Sequence, residues 1–202
     1  MSEALRLSAL ALFAVGPAVA VSALLRRRRK PSPIVYRTSG WRFYVPAVLL
    51  PVEWLLAPAL IAFRVGEIEA DWLPVRLGGL AIGLAGAAVL VWSSLVLGRF
   101  MIHAAAVSEN HALVEHGPYR FVRHPVYAGY LALLLGSGLA SINLCVLFLW
   151  PVSLLGILLQ AASEEQVLRQ SWTCKYEQYA QRTGRLFPRL FRQPSFSSHP
   201  RR

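Results

Sequence analysis

Apolar residues arrive along this chain in four long runs separated by short polar stretches. Residues 7–25 give 19 positions without a charge, 43–63 give 21 with Glu53 as the one charge, and 77–97 give 21 with none. Each is close to the ~20 residues a helix needs to cross the hydrocarbon core of a bilayer. The last run, 126–159, covers 34 residues and is interrupted near Gly138, Ser141 and Asn143, a turn-like composition. It predicts two short helices in a hairpin, each arm reaching only about 25 Å at ~1.5 Å per residue, so that the hairpin need not cross fully. The second run carries Pro46, Pro51 and Pro58 and should be bent, with Glu53 facing protein or water rather than lipid. In the third, Gly79, Gly83 and Ala87 share one helical face, which predicts close helix packing within the chain or between copies and leaves oligomeric state open.

Composition agrees with a membrane protein: of 202 residues, 55% are hydrophobic and only 15% charged. A net charge of +11 follows from 21 Lys+Arg against 10 Asp+Glu. Its distribution matters more than its size. Arg26, Arg27, Arg28, Arg29 and Lys30 directly follow the first run, and basic residues recur between 99 and 123 and from Arg169 onward. Glu67, Glu69 and Asp71 fall on the opposite side if crossings alternate. The positive-inside rule then puts the N-terminus outside and the long loop and C-terminus in the cytoplasm. The basic excess is read as topology and attraction to anionic membrane lipids, with no nucleic-acid partner. A cleaved signal peptide is the competing reading of the first run, because Ala18, Val19 and Ala20 resemble a cleavage site. The basic cluster after that run, rather than before it, favours an anchor. Cys145 and Cys174 make neither a disulfide framework nor zinc spacing.

Polar chemistry concentrates between residues 103 and 127. His103, His111, His116 and His124 are four of the chain's five histidines, and Tyr119, Arg120, Arg123 and Tyr127 lie among them. Their spacing matches no common metal-ligand pattern, so no metal is expected. Pro125 suits the first position of a helix, which puts His124 at the N-cap. The freed amides of that helix, with Arg120 and Arg123 one turn earlier, would seat a carboxylate or phosphate; lipid headgroups at the interface are the alternative. Beyond the last run, Ser163, Glu164 and Glu165 could pair with loop arginines, cap a following helix or bind an amine or hydroxyl. Leu168, Trp172, Tyr176 and Tyr179 recur at helical spacing and predict an amphipathic C-terminal helix.

The run HALVEHGPYRFVRHPVYAG from His111 to Gly129, followed by Glu164-Glu165 and WTCKYEQY, resembles the isoprenylcysteine carboxyl methyltransferase and phospholipid methyltransferase superfamily. The resemblance covers about residues 97–188. It implies an all-α integral-membrane bundle of about five transmembrane helices, the last two a short hairpin, with a cytoplasmic cofactor-binding loop and a C-terminal amphipathic helix. On this basis 1–98 are N-terminal membrane helices, 99–190 the catalytic region and 191–202 a disordered basic tail. It further implies an S-adenosylmethionine-dependent methyltransferase, with S-adenosylhomocysteine as product and a lipophilic small molecule or lipid as acceptor. Cofactor contacts carry over to His111, Ala112, Leu113, Val114, Tyr119, His124, Pro125, Val126, Tyr127 and Glu164, and Arg123 and Glu165 are the catalytic candidates.

Two positions depart from the family pattern. Gln160 stands where the prenylcysteine enzymes have a substrate-holding arginine, and Trp172-Thr173 replaces the usual Phe-Gly. A neutral amide cannot clamp a carboxylate with a charged fork, so Gln160 is a substrate-binding candidate that favours an amine, thiol or hydroxyl acceptor. Two other functions compete with methyl transfer: a nicotinamide-dependent membrane reductase of related fold, and a non-catalytic membrane scaffold.

Overall fold

The computed structural model describes residues 2–29, 34–37, 41–70, 72–98, 106–108 and 113–189. The elements run α1 (Ser2–Leu12), α2 (Val15–Arg29), β1 (Ile34–Arg37), α3 (Trp41–Ala62), α4 (Leu73–Leu97), β2 (Ala106–Ser108), α5 (Pro125–Ser141) and α6 (Leu144–Arg182). The protein is an integral-membrane helical bundle. Four stretches are long and apolar enough to cross a membrane, Glu3–Ser22, Tyr44–Ala62, Leu73–Leu97 and Leu144–Trp172, and α5 is a shorter apolar helix. Leu55, Phe63, Phe148 and Leu155 are exposed on the outside of the bundle, the arrangement a lipid solvent permits. The two strands add a small antiparallel ladder to this helical frame.

The first span is broken rather than continuous. Pro17 lacks an amide hydrogen, and its ring crowds the carbonyl four residues back, that of Phe13. The helix is interrupted between α1 and α2 at that point, and the Phe13 carbonyl accepts from Trp54 Nε1 at 2.9 Å instead. Gly16 makes room for this, since a Cβ there would lie 2.0 Å from the Trp54 ring. By contrast, α3 runs as one helix through Pro46, Pro51 and Pro58. Glu53 is buried on its inner face and accepts from Tyr130 Oη at 3.2 Å and from Ser153 Oγ, so it faces protein and ties α3 to α5 and α6.

The glycine face of the third span packs inside the chain. Gly79, Gly83 and Gly86 of α4 meet Ala140, Gly136 and Gly129 of α5 so closely that a Cβ at Gly136 would stand 2.2 Å from the Gly83 nitrogen. Small residues let the backbones touch, which maximises dispersion contact where no hydrophobic effect separates helix from lipid. Arg76 is buried at the start of α4, where its guanidinium donates to the Ala140 carbonyl at 3.1 Å and closes the C-terminal end of α5.

The hairpin after residue 126 is unequal, and here the structure departs from the two short arms expected. α5 has 17 residues, whereas the second arm runs from Leu144 to a kink at Trp172, beyond which the aromatic C-terminal segment forms a further helical stretch to Arg182. Good helix formers follow Gln160 without a Gly or Pro stop, so nothing ends the helix at the membrane surface. The kink, with φ −133° and ψ 40° at Trp172, redirects the aromatic segment. The turn itself lies where the polar residues suggested. Ile142 is left-handed with φ 50°, and Asn143 caps α6 by accepting from the Val146 amide at 3.0 Å while donating to the Val65 carbonyl at 3.0 Å. This joins the α3–α4 connection to the α5–α6 turn at one end of the bundle, leaving the His124 end free for chemistry.

The α4–α5 contact gives a direct test. Gly86→Val should destabilise the bundle by about 1–3 kcal/mol through overpacking. Gly78→Ala, at a position where a Cβ meets nothing within 4 Å, should leave the thermal unfolding midpoint in detergent nearly unchanged.

Candidate active site

Three segments distant in sequence converge at the open end of the bundle. The chain from Phe121 to His124 leads into α5, Gln160 to Glu165 occupy the middle of α6, and Thr183 to Arg185 follow its end. The first and last run side by side. The Arg123 amide donates to the Gly184 carbonyl at 2.8 Å, and the His124 amide to the Arg185 carbonyl at 3.0 Å. This register delivers Arg185 beside Glu165, one helix turn from the N-terminus of α5.

Glu165 is buried and fully engaged. Its Oε1 accepts from Arg123 Nε at 3.0 Å, from Arg185 Nε at 3.1 Å and faces His124 Nε2 at 3.3 Å, while Oε2 accepts from Arg185 Nη2 at 2.8 Å. Arg123 also donates from Nη1 to the Ala180 carbonyl at 2.9 Å and to that of Thr183, so it holds the C-terminal end of α6. Glu164 and Glu165 thus pair with cations in mid-helix; they do not cap a following helix.

His124 is the N-cap of α5 and Pro125 its first residue. The His124 ring lies between the two glutamates, with Nδ1 3.5 Å from Glu164 Oε2 on its other side. Burial alone would pull its pKa down, but hydrogen bonds and charge from Glu164 and Glu165 outweigh burial and hold it above the ordinary value. Its ring stacks on that of Tyr127, with centroids 5.6 Å apart. Tyr127 Oη donates to Glu164 Oε1, and Gln160 Nε2 donates to the same oxygen at 3.2 Å. The Gln160 side chain is buried, and its Oε1 accepts no hydrogen bond among the described residues.

The remaining candidates surround this centre unevenly. Tyr119 is buried on the short 3-10 turn Gly117–Arg120, its carbonyl accepting from Tyr179 Oη at 2.7 Å; burial first, then the charges around it, raises its pKa. Leu113 packs on Tyr176 and Tyr179, Val114 follows it in the chain, and Pro125 and Val126 open α5. His111, Ala112 and His103 lie outside the described residues, as does the tail from residue 190. His116 is exposed. The two arginines that the sequence grouped are separated: Arg123 turns into the Glu165 network, whereas Arg120 lines a half-open cavity of about 610 Å³ with Glu115, Tyr179 and Arg182. Arg185 is the site residue that sequence reading missed. It follows the last helix in a run with no motif, and only the pairing of two loop segments brings it in.

Removing the shared carboxylate by Glu165→Gln should leave the largely buried Arg123 guanidinium without an anionic partner and His124 with Glu164 alone, and cost on the order of 3–5 kcal/mol in chemical or thermal unfolding. The raised pKa of His124 has its own signature. Its pairing contributes stability that is complete below the unfolded value of about 6.5 and is lost as pH rises through the higher folded value. The unfolding midpoint of the wild type should fall across that window, and the same fall should be absent from His124→Gln.

Comparison with known proteins places this arrangement. The family described as phospholipid methyltransferase matches residues 75–174. A probable protein-S-isoprenylcysteine O-methyltransferase of Oryza sativa subsp. indica is 29% identical over 126 residues, covering 57% of this chain and 62% of the rice protein. The cobalt-zinc-cadmium resistance protein CzcN of Cupriavidus metallidurans is 29% identical over 158 residues, covering 77% of this chain and 65% of that one. The solved structure of the eukaryotic intramembrane Ras methyltransferase, an isoprenylcysteine carboxyl methyltransferase, superposes with a TM-score of 0.54 at 26% identity over 72% of this chain and 50% of that chain. The match therefore spans somewhat less than two thirds of the rice relative's length. With its motif segments gathered at one end of an integral-membrane bundle, the chain is similar to the isoprenylcysteine carboxyl methyltransferase and phospholipid methyltransferase superfamily in family match, relatives and solved structure alike.

Proposed function

We propose that this protein is a membrane methyltransferase that takes its methyl group from S-adenosylmethionine and gives it to a lipophilic or small amphiphilic acceptor entering from the bilayer. The observation that carries this reading is the convergence of His124, Tyr127, Gln160 and Glu164 at the N-terminus of α5, beside a carboxylate saturated by Arg123 and Arg185.

The residues present suit the cofactor. The N-cap residue of α5 makes no side-chain hydrogen bond to the first turn, so the amides of that turn remain to hold a carboxylate. The Tyr127 ring offers an aromatic face to a sulfonium or adenine, and Glu164 offers an acceptor to an amine or ribose hydroxyl. When bound, the cofactor supplies an electrophilic methyl group whose transfer discharges the sulfonium.

The protein's share is alignment. Displacement in line needs the nucleophile within about 3–3.5 Å of the methyl carbon and water excluded, which a site between membrane helices provides. Arg123 and Glu165 act as positioning residues in this scheme, since each is already committed to fixing His124 and the end of α6. The sidedness follows from charge: the basic segments, and with them the site, face the cytoplasm, and the N-terminus lies outside.

Isothermal titration of detergent-purified protein with S-adenosylhomocysteine tests the reading. Wild type should bind, and Glu164→Ala and His124→Ala should each weaken binding by about tenfold or more, the scale of a lost hydrogen bond to a charged group. Absence of binding by folded wild type would refute it.

A further inference from the structure

Gln160 carries a buried polar atom that has no hydrogen-bond partner among the described residues. Its side chain is 3% exposed on α6, one helical turn before Glu164. The orientation of its amide is decided by chemistry. Glu164 Oε1 already accepts from Tyr127 Oη, and a carboxylate oxygen can only accept, so the group 3.2 Å away must be the Gln160 NH2. That leaves Oε1 as the free end, and it has no donor among the described residues. A buried carbonyl without a donor loses the hydrogen bonds water would give it, so such an atom calls for a ligand that brings a hydrogen.

The charge balance around Gln160 points the same way. Arg123 and Arg185 spend their guanidinium groups on Glu165 and on the end of α6, away from the Gln160 side. Near Gln160 the charged groups are Glu164 and His124, already paired with each other at 3.5 Å, beside the neutral Tyr127. A second carboxylate brought here would meet a carbonyl oxygen and a like charge, with no fork to hold it.

We propose that Gln160 determines acceptor specificity, its amide oxygen accepting a hydrogen bond from an N–H, O–H or S–H head group, so that the acceptor is an amine, alcohol or thiol and not a carboxylate. This rests on the methyl-transfer reading above. In the reaction the head group's lone pair forms the bond to the methyl carbon as the methyl–sulfur bond breaks. That bond's electron pair stays on sulfur, and the head group's hydrogen leaves as a proton to water. Gln160 aims the lone pair by holding the hydrogen on the far side of the nucleophilic atom.

The experiment uses four probes with one prenyl chain: farnesylamine, farnesol, farnesylthiol and N-acetyl-S-farnesylcysteine. Wild type should methylate at least one of the first three with kcat/KM about tenfold or more above that for the carboxylate probe. Gln160→Met, similar in size but without the amide, should lose about tenfold in kcat/KM on the preferred probe while binding S-adenosylhomocysteine within about twofold of wild type. Gln160→Arg should shift preference toward N-acetyl-S-farnesylcysteine. Preference of wild type for the carboxylate probe, or turnover of none of the donor-headed probes by protein that binds S-adenosylhomocysteine, overturns the proposal without needing any variant. Unchanged acceptor kinetics in Gln160→Met also overturn it, as does weakened S-adenosylhomocysteine binding by the folded variant, which would assign the amide to the cofactor. Failure of folded wild type to bind S-adenosylhomocysteine at all is a different result, and it brings down the methyl-transfer reading itself.

Discussion

Everything at the open end of this bundle depends on one buried carboxylate. Glu165 sits in mid-helix with three cationic partners, Arg123 and His124 from the segment that leads into α5 and Arg185 from the segment that follows α6. A buried charge is costly unless it is paired and hydrogen-bonded, so Arg123, His124 and Arg185 are obliged to converge. Their convergence sets the start of α5, holds the end of α6 and lays the two loop segments side by side. The interaction is better understood as specifying geometry than as adding net stability, because well-packed apolar groups could have stabilised the same space equally.

The membrane helices supply the frame that makes this possible. Backbone contact between the glycine faces of α4 and α5 fixes their separation, and the far end is closed by Arg76 on the last turn of α5 and Asn143 at the start of α6. Glu53 joins α3 to both arms of the hairpin through Tyr130 and Ser153. Each of these polar contacts satisfies backbone or side-chain groups that lipid cannot. With the far end tied in this way, the site end can carry buried charge and an unpaired carbonyl without the helices separating.

The site is therefore asymmetric. On the Glu165 side every charge has a partner, and the groups there hold one another in place. On the Glu164 side, Tyr127 and Gln160 share one carboxylate oxygen, and an amide oxygen is left over. Rigid, satisfied groups position; unsatisfied ones await a ligand. That division is the physical basis for assigning one set of residues to structure and the other to recognition.

Much of this was legible in the chain itself. Run lengths of apolar residues determined the spans, because backbone groups in lipid must bond within a helix and the bilayer sets how long that helix is. Small residues four apart marked the α4 packing face, Pro125 marked the start of α5, and Asn143 marked the turn, since each acts through its own local backbone chemistry. The clustering of His124, Tyr127 and Glu164 was visible only as a motif. The break at Phe13 was prepared locally by Pro17 and completed by Trp54, which arrives from α3 to take the freed carbonyl, whereas Arg185 had no local signal and entered through a pairing of segments some 60 residues apart. Periodicity and capping are properties of neighbours along the chain, and the sequence determined them. Which buried charge meets which partner is decided by electrostatics across the fold, so only the tertiary structure decided it.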